Sequence, residues 1–155
     1  MNSYIVRHLS AEEGLRTEPY KDHLGYWTLG IGHLIDRRKG GALPSWVRSF
    51  PITEDEAELL LKDDIFPIEE ELAHKLPWWD RLTPVRQAVL ISMAFQMGVS
   101  GLLKFRRTLE TIGRGEYHLA AAQMLESKWA RQTAGRAGRL AQAMRTSDPQ
   151  FLEGP

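Results

Sequence analysis

The stretch Glu13-Gly-Leu-Arg-Thr-Glu-Pro-Tyr-Lys-Asp-His-Leu-Gly-Tyr-Trp-Thr-Leu-Gly-Ile-Gly-His33 decides the fold. From Pro19 to Ile35 the chain turns to β-branched and aromatic residues punctuated by turn formers. Asp22 and Gly25 stand at the first and fourth positions of a type I turn. Tyr20 and Lys21 lead in, Tyr26 to Leu29 return, and His33 to Ile35 add a third short strand, which predicts a small antiparallel sheet. Gly30 and Gly32 would weaken a strand interior, so they mark a bend or a close backbone approach.

Helices are expected on both sides. Ile5, Val6 and Leu9 recur at near-helical spacing over residues 3–13, with Gly14 suited to the position after the last turn. A competing reading starts a helix at Ser10, because Ser10-Ala-Glu-Glu13 matches a capping box. The helix ending near Glu13 is preferred, since Pro19 and the turn signals leave a second helix little room. That ending puts Glu12 and Glu13 at the negative end of the helix dipole, so something other than stability holds them there.

Downstream, Thr53 and Glu56 form a capping box, and Ile52 with Ala57 a hydrophobic staple. They open a helix running to about Leu76, with a kink or break expected at Pro67. Residues 36–51 read as a loop with one helical turn around Trp46, and Pro77 to Asp80 as a connector that leaves the role of Trp78 and Trp79 open. Thr83-Pro84 caps a helix that is apolar all round and therefore buried, ending at Gly98. Shorter helices follow at about 102–112, 116–126 and 136–146. The fold class is α+β: a sheet lobe over about 14–52, a connecting helix over about 53–76, and a helical lobe over about 77–155 joined by helix 3–13.

Composition bounds the partners. The chain has 155 residues, 43% of them hydrophobic and 26% charged, which suits a globular protein with a real core and excludes the disordered class. It has no cysteine, hence no disulfide framework and no thiolate metal site. The first ten residues lack an apolar core of signal-peptide length, and no stretch reaches the roughly 20 apolar residues of a membrane span. Net charge is zero, yet residues 1–80 carry −6 and residues 81–155 carry +6. A basic face in the second half reads either as a solvated helical surface or as a contact for an anionic polymer, nucleic acid or bacterial cell wall.

Glu13 and Asp22 stand nine positions apart, and Thr28 follows six later. Acid-assisted glycosidic cleavage needs two carboxyl groups in unlike environments, one donating a proton and one ionised to act on water or the sugar. Glu13 at a helix end can be shielded, whereas Asp22 in an exposed turn stays ionised, and Thr28 on the returning strand can hold a water beside it. Spacing alone does not establish this: a helix-end glutamate, a turn aspartate and a strand threonine are common features.

The order of the motifs adds specificity. Glu13-Gly-Leu-Arg, Tyr20-Lys-Asp22, Gly25-Tyr-Trp-Thr28 and Gly30-Ile-Gly-His33-Leu together resemble the phage T4-type lysozymes of glycoside hydrolase family 24. Thr53-Glu-Asp-Glu-Ala-Glu, Met93-Ala-Phe-Gln-Met-Gly98 and Trp129 to Ala137 extend the resemblance over most of the chain. Residues 36–51, 67–82 and 147–155 depart from it, notably at Pro67 and the Trp78-Trp79 pair.

The resemblance implies a lysozyme-like fold and a muramidase that cuts the β-1,4 bond between N-acetylmuramic acid and N-acetylglucosamine with inversion. It implies Glu13 as general acid, Asp22 as the carboxylate that activates or positions water, and Thr28 as its helper. Arg136 resembles the arginine that pairs with the acid, where a cation favours the ionised carboxyl and burial opposes it. Leu34, Phe95, Thr108 and Gln123 match substrate-contact positions; read as ordinary structure, the first two would be core and the last two helix surface. His33 and Asp64 match a structural ion pair. No metal and no cofactor are implied.

The implied partner is bacterial peptidoglycan, acted on by a monomer with no nucleic acid and no stable membrane association. The protein would wait in the host cytoplasm until a membrane pore lets it reach the wall for host cell lysis. A competing function is a catalytically idle lysozyme fold serving as a wall-binding or phage-tail module; a third is nucleic-acid binding through the basic half.

Overall fold

The structure, a computed structural model, describes residues 2–44 and 51–155. The chain divides into two compact units, one of Met1–Glu12 with Phe66–Pro155 and one of Glu13–Ile65. Helix α1, Ser3–Glu13, ends where Gly14 takes a left-handed backbone (φ +70°). The Ser10 hydroxyl donates to the Val6 carbonyl one turn back, so Ser10 lies inside the helix and does not cap a new one.

The second unit is built on an antiparallel sheet in the order β1 (Arg16–Lys21), β2 (Tyr26–Gly30), β3 (His33–Lys39). Pro19 sits in edge strand β1, where the register shifts between Arg16 and Tyr20 and the missing N–H costs no ladder bond. Strand β3 runs further than the sequence suggests. Residues 36–39, read as loop, stay extended because Lys39 partners Tyr26 and the Gly40 N–H donates to the Gly25 carbonyl. The helical turn expected around Trp46 lies outside the described residues.

Helix α2, Glu54–Lys75, opens with both halves of its capping box made: Glu56 N–H donates to Thr53 Oγ1 at 3.0 Å and Thr53 N–H to Glu56 Oε1 at 3.2 Å. Three acids in its first turn and His74 and Lys75 in its last match the helix dipole at both ends. Ile52 and Ala57 are buried, and the Ile52 N–H donates to the Thr17 carbonyl, fastening the helix start to β1. The break expected at Pro67 does not occur, because one missing hydrogen bond is outweighed by the turns on either side; the two units divide between Ile65 and Phe66.

The helical unit surrounds α3, Pro84–Met97, whose Val85 and Ala88 to Ala94 are all buried, as an all-round apolar helix requires. Thr83 caps it, and Gly98 ends it with φ +81°. The connector before it folds as a 3-10 turn, Trp79–Arg81, that buries Trp79. The single helix expected at 102–112 is two, α4 (Val99–Leu103) and α5 (Arg106–Gly113). The break lets Phe105 meet Trp129 edge to face, ring centres 6.2 Å apart.

Helix α6 is Tyr117–Leu125 and α8 is Ala134–Thr146. Between them lies α7, Lys128–Gln132, five residues that periodicity missed although Ser127 caps them through the Ala130 N–H. Alanines 120, 121, 137, 141 and 143 are buried where α6 and α8 meet each other and their neighbours, and their small side chains allow close approach.

A polar network ties this unit together. Buried His8 has Nδ1 3.1 Å from the Leu152 carbonyl and Nε2 2.7 Å from Ser92 Oγ. A neutral ring with the proton on Nδ1 serves both: it donates to the carbonyl and accepts from the serine. Arg136 donates to the same serine oxygen at 3.0 Å. Burial first and the Arg136 charge second lower the His8 pKa from 6.5 to about 4.

Two outcomes follow. Pro67→Ala restores a helix donor and is expected to raise stability by about 1–3 kcal/mol in urea unfolding. His8 is disfavoured when protonated, so its contribution is complete above pH 6.5 and is lost as pH falls to about 4, where the loss levels off near 3 kcal/mol. Unfolding measured across that range shows the slope, and His8→Gln flattens it.

Candidate active site

Thr28 on β2 has Tyr20 as its register partner on β1 and Leu34 on β3. Side chains of directly opposed residues emerge on the same face of a sheet, so these three form one row across all the strands. Leu34 is 45% exposed at one end, whereas Thr28 in the middle is buried. The Thr28 hydroxyl donates to the Tyr26 carbonyl at 3.1 Å, which leaves its lone pairs as acceptors.

Asp22 follows β1 directly. Its Oδ1 accepts the N–H groups of Leu24 and Tyr26, both at 2.9 Å, while the Gly25 N–H closes the turn onto the Asp22 carbonyl. The carboxylate is thereby aimed by the backbone it helps to fold. Among the described residues its Oδ2 accepts no hydrogen bond.

Glu13 reaches the same unit from the end of α1. Its carboxyl group lies against the backbone of Gly32, where a β-carbon would stand 3.2 Å from Cγ and 3.3 Å from Cδ and Oε2. Gly32 also holds φ +67°, so a side chain there is strained in its backbone and presses on the Glu13 carboxyl. The bend or close approach expected at Gly30 and Gly32 is thus found at both: Gly30, with φ +65°, lies against Ala57 and Ile52.

Tyr20 lies between the two acids in the chain. Burial raises the pKa of its hydroxyl; Arg16, whose guanidinium sits 5.0 Å over the ring, opposes this, and the charges of Glu13 and Asp22 both add to the rise. One phenol therefore senses both carboxylates. No site role for Tyr20 is legible in the sequence, where it reads only as a strand residue leading into the Asp22 turn.

His33 and Asp64 form an ion pair, Nδ1 to Oδ2 at 2.8 Å, and the hydrogen bond to Asp64 raises the His33 pKa against the cost of burial. The remaining candidates belong to the helical unit. Phe95 is half-buried near the end of α3. Thr108 and Gln123 are buried, at 7% and 8% exposure, so neither is a helix-surface residue. Gln123 Oε1 has no hydrogen-bond partner. Arg136 is held by Ser92 as described, and Ser92 and His8 are supports that no sequence signal marked. Among the described residues no group of three or more acids and histidines gathers as a metal site.

An antiparallel sheet that carries a threonine and is flanked by an acid at a helix end and an acid in a turn, with a mainly helical unit around a buried α3, defines a lysozyme-like α+β protein. The description "Phage lysozyme" fits residues 10–145. The chain belongs to the phage lysozyme family. It is 32% identical to "Probable T4-type lysozyme 1" of Dictyostelium discoideum over 94% of this chain and 96% of that protein. It is 32% identical to "Pre-baseplate central spike protein Gp5" of Enterobacteria phage T4 over 95% of this chain but 28% of the spike protein. "Peptidoglycan hydrolase gp36" of Pseudomonas phage phiKMV is 29% identical over 84% of this chain and 14% of its own length.

Gly32→Ala is expected to cost about 1–2 kcal/mol of stability from its left-handed backbone alone and to displace the Glu13 carboxyl. Gly41→Ala is the control, since Gly41 has φ +75° and open space around it. A loss of cell-wall clearing confined to Gly32→Ala reports the contact with Glu13.

Proposed function

We propose that the protein is a muramidase hydrolysing the β-1,4 bond between N-acetylmuramic acid and N-acetylglucosamine in peptidoglycan, with inversion, for bacterial cell-wall lysis. The observation that carries this reading is the pair of acids in one unit, one lodged against a glycine backbone and the other aimed by two backbone N–H groups. Family membership and the peptidoglycan hydrolase among its relatives support the substrate class.

Glu13, protonated, gives its proton to the glycosidic oxygen as the bond to the anomeric carbon breaks. A water donates one hydrogen to the Thr28 hydroxyl oxygen and the other to Asp22 Oδ2, which turns its lone pair toward the opposite face of the sugar. Asp22 takes the water proton as the new bond forms, so atoms and charges balance and the configuration inverts. Both acceptors suit this role, because the Thr28 O–H is committed to Tyr26 and Asp22 Oδ1 to the turn.

Leu34 and Phe95 are assigned apolar sugar contacts, and Thr108 and Gln123 polar ones. Gln123 Oε1, buried and unpartnered, is an acceptor suited to an N-acetyl N–H. Arg136 is assigned the supporting cation, and His33 with Asp64 the bracing of the sheet.

Turbidity loss of purified peptidoglycan tests the reading. The unmodified protein is expected to clear it and Glu13→Gln to lose at least about 100-fold in rate, the scale of a missing general acid. Proton NMR of the first product is expected to show the α anomer at the new reducing end. Equal clearing by both proteins removes Glu13 as the acid, and no clearing by either favours the idle wall-binding module.

A further inference from the structure

The helical unit carries a cavity of about 230 Å³ that the chemistry above does not use. Leu82 and Ile112, both buried, supply its apolar lining, Trp78 and Tyr117 its aromatic walls, and the exposed Arg81 and Arg114 its cations. The sequence offered no role for Trp78, which stands where the chain departs from the family pattern.

Three features show that the walls are held in place. Gly113 has no side chain where a β-carbon would come within 2.6 Å of the Trp78 Nε1, so the glycine is what allows the indole to lie there. Tyr117 is covered on one face by the Arg86 guanidinium, 3.6 Å from the ring centre. Arg86 is itself anchored, donating to the Met144 carbonyl at 2.7 Å and the Arg145 carbonyl at 3.1 Å.

Donors are available at the same place. Arg114 is engaged by Glu116, Nε to Oε2 at 2.9 Å. Among the described residues the Arg81 guanidinium has no ion-pair partner, and the Trp78 indole N–H donates to no protein group. A free planar guanidinium and a free indole N–H beside an apolar lining fit a carboxylate on a short apolar stem better than an uncharged sugar.

We propose that this pocket is an accessory subsite for the carboxylates of the stem peptides that hang from the glycan of the cell wall. The identity of the polymer rests on the function proposed above. The methyl-bearing residues of the stem lie on the indole and the phenol ring, and a carboxylate bridges Arg81 and the indole N–H.

The test uses the full chain in a Glu13→Gln background, so that the wall is not consumed. Binding to insoluble purified wall is measured by sedimentation, with intact wall and with wall stripped of stem peptides by an amidase. Arg81→Glu and Trp78→Phe are each expected to weaken binding to intact wall by about 5- to 10-fold, the scale of one charge-assisted contact, and to leave binding to stripped wall unchanged. Unchanged binding to intact wall, or an equal loss on both walls, overturns the proposal. A second readout is the indole N–H resonance of Trp78, identified by its loss in Trp78→Phe; it is expected to shift on addition of soluble stem pentapeptide, and no shift at millimolar peptide overturns the subsite. If the unmodified protein fails to clear wall while these effects hold, the enzymatic reading fails and the subsite stands. Clearing without them leaves the enzyme and removes the subsite.

Discussion

The close approach of the Glu13 carboxyl to the Gly32 backbone is the constraint on which the candidate site depends. It requires a helix that ends at Glu13, a left-handed residue between β2 and β3, and no side chain at that residue. The same turn starts β3 in register, which sets Leu34 beside Thr28, while the Asp22 turn sets Thr28 beside Tyr20. A helix end and a hairpin turn, each ordinary alone, thus fix one acid relative to the row of side chains that would meet a sugar.

Two carboxylates at the negative end of α1 pose an electrostatic problem, and the structure resolves them separately. Glu12 turns into the helical unit and pairs with Arg139, nearly shielded from solvent. Glu13 belongs to the sheet unit and meets Gly32. The helical unit is in turn pinned by the His8, Ser92 and Arg136 network, in which each polar group sets the proton position of the next. Neutral His8 at the centre is what lets a guanidinium and an imidazole share one serine.

Much of this was legible in the chain. Asp22 to Gly25 announced its turn, Thr53 and Glu56 their capping box, and residues 84–97 their burial, because each signal is local and acts within one turn or one helix face. Local signals are silent where partners far along the chain decide. Residues 36–39 are strand because Tyr26 and Gly25 pair with them, and α4 and α5 separate because Phe105 has Trp129 to meet. Family likeness singled out Glu13, Asp22 and Thr28 but not Tyr20, Ser92 or His8, whose importance comes only from what surrounds them.

The sequence by itself determined the α+β class, the Asp22 turn, the capped starts of α2 and α3 and the glycines at the bend, since backbone propensity, capping and chirality act between near neighbours. Only the tertiary structure decided that Gly32 faces Glu13, that Tyr20 senses both carboxylates, that Gln123 keeps a buried oxygen unpartnered, and that Trp78 walls a cavity over Gly113. Glu13 and Gly32 stand 19 positions apart and Trp78 and Gly113 stand 35 apart, and no local preference encodes which distant side chain arrives.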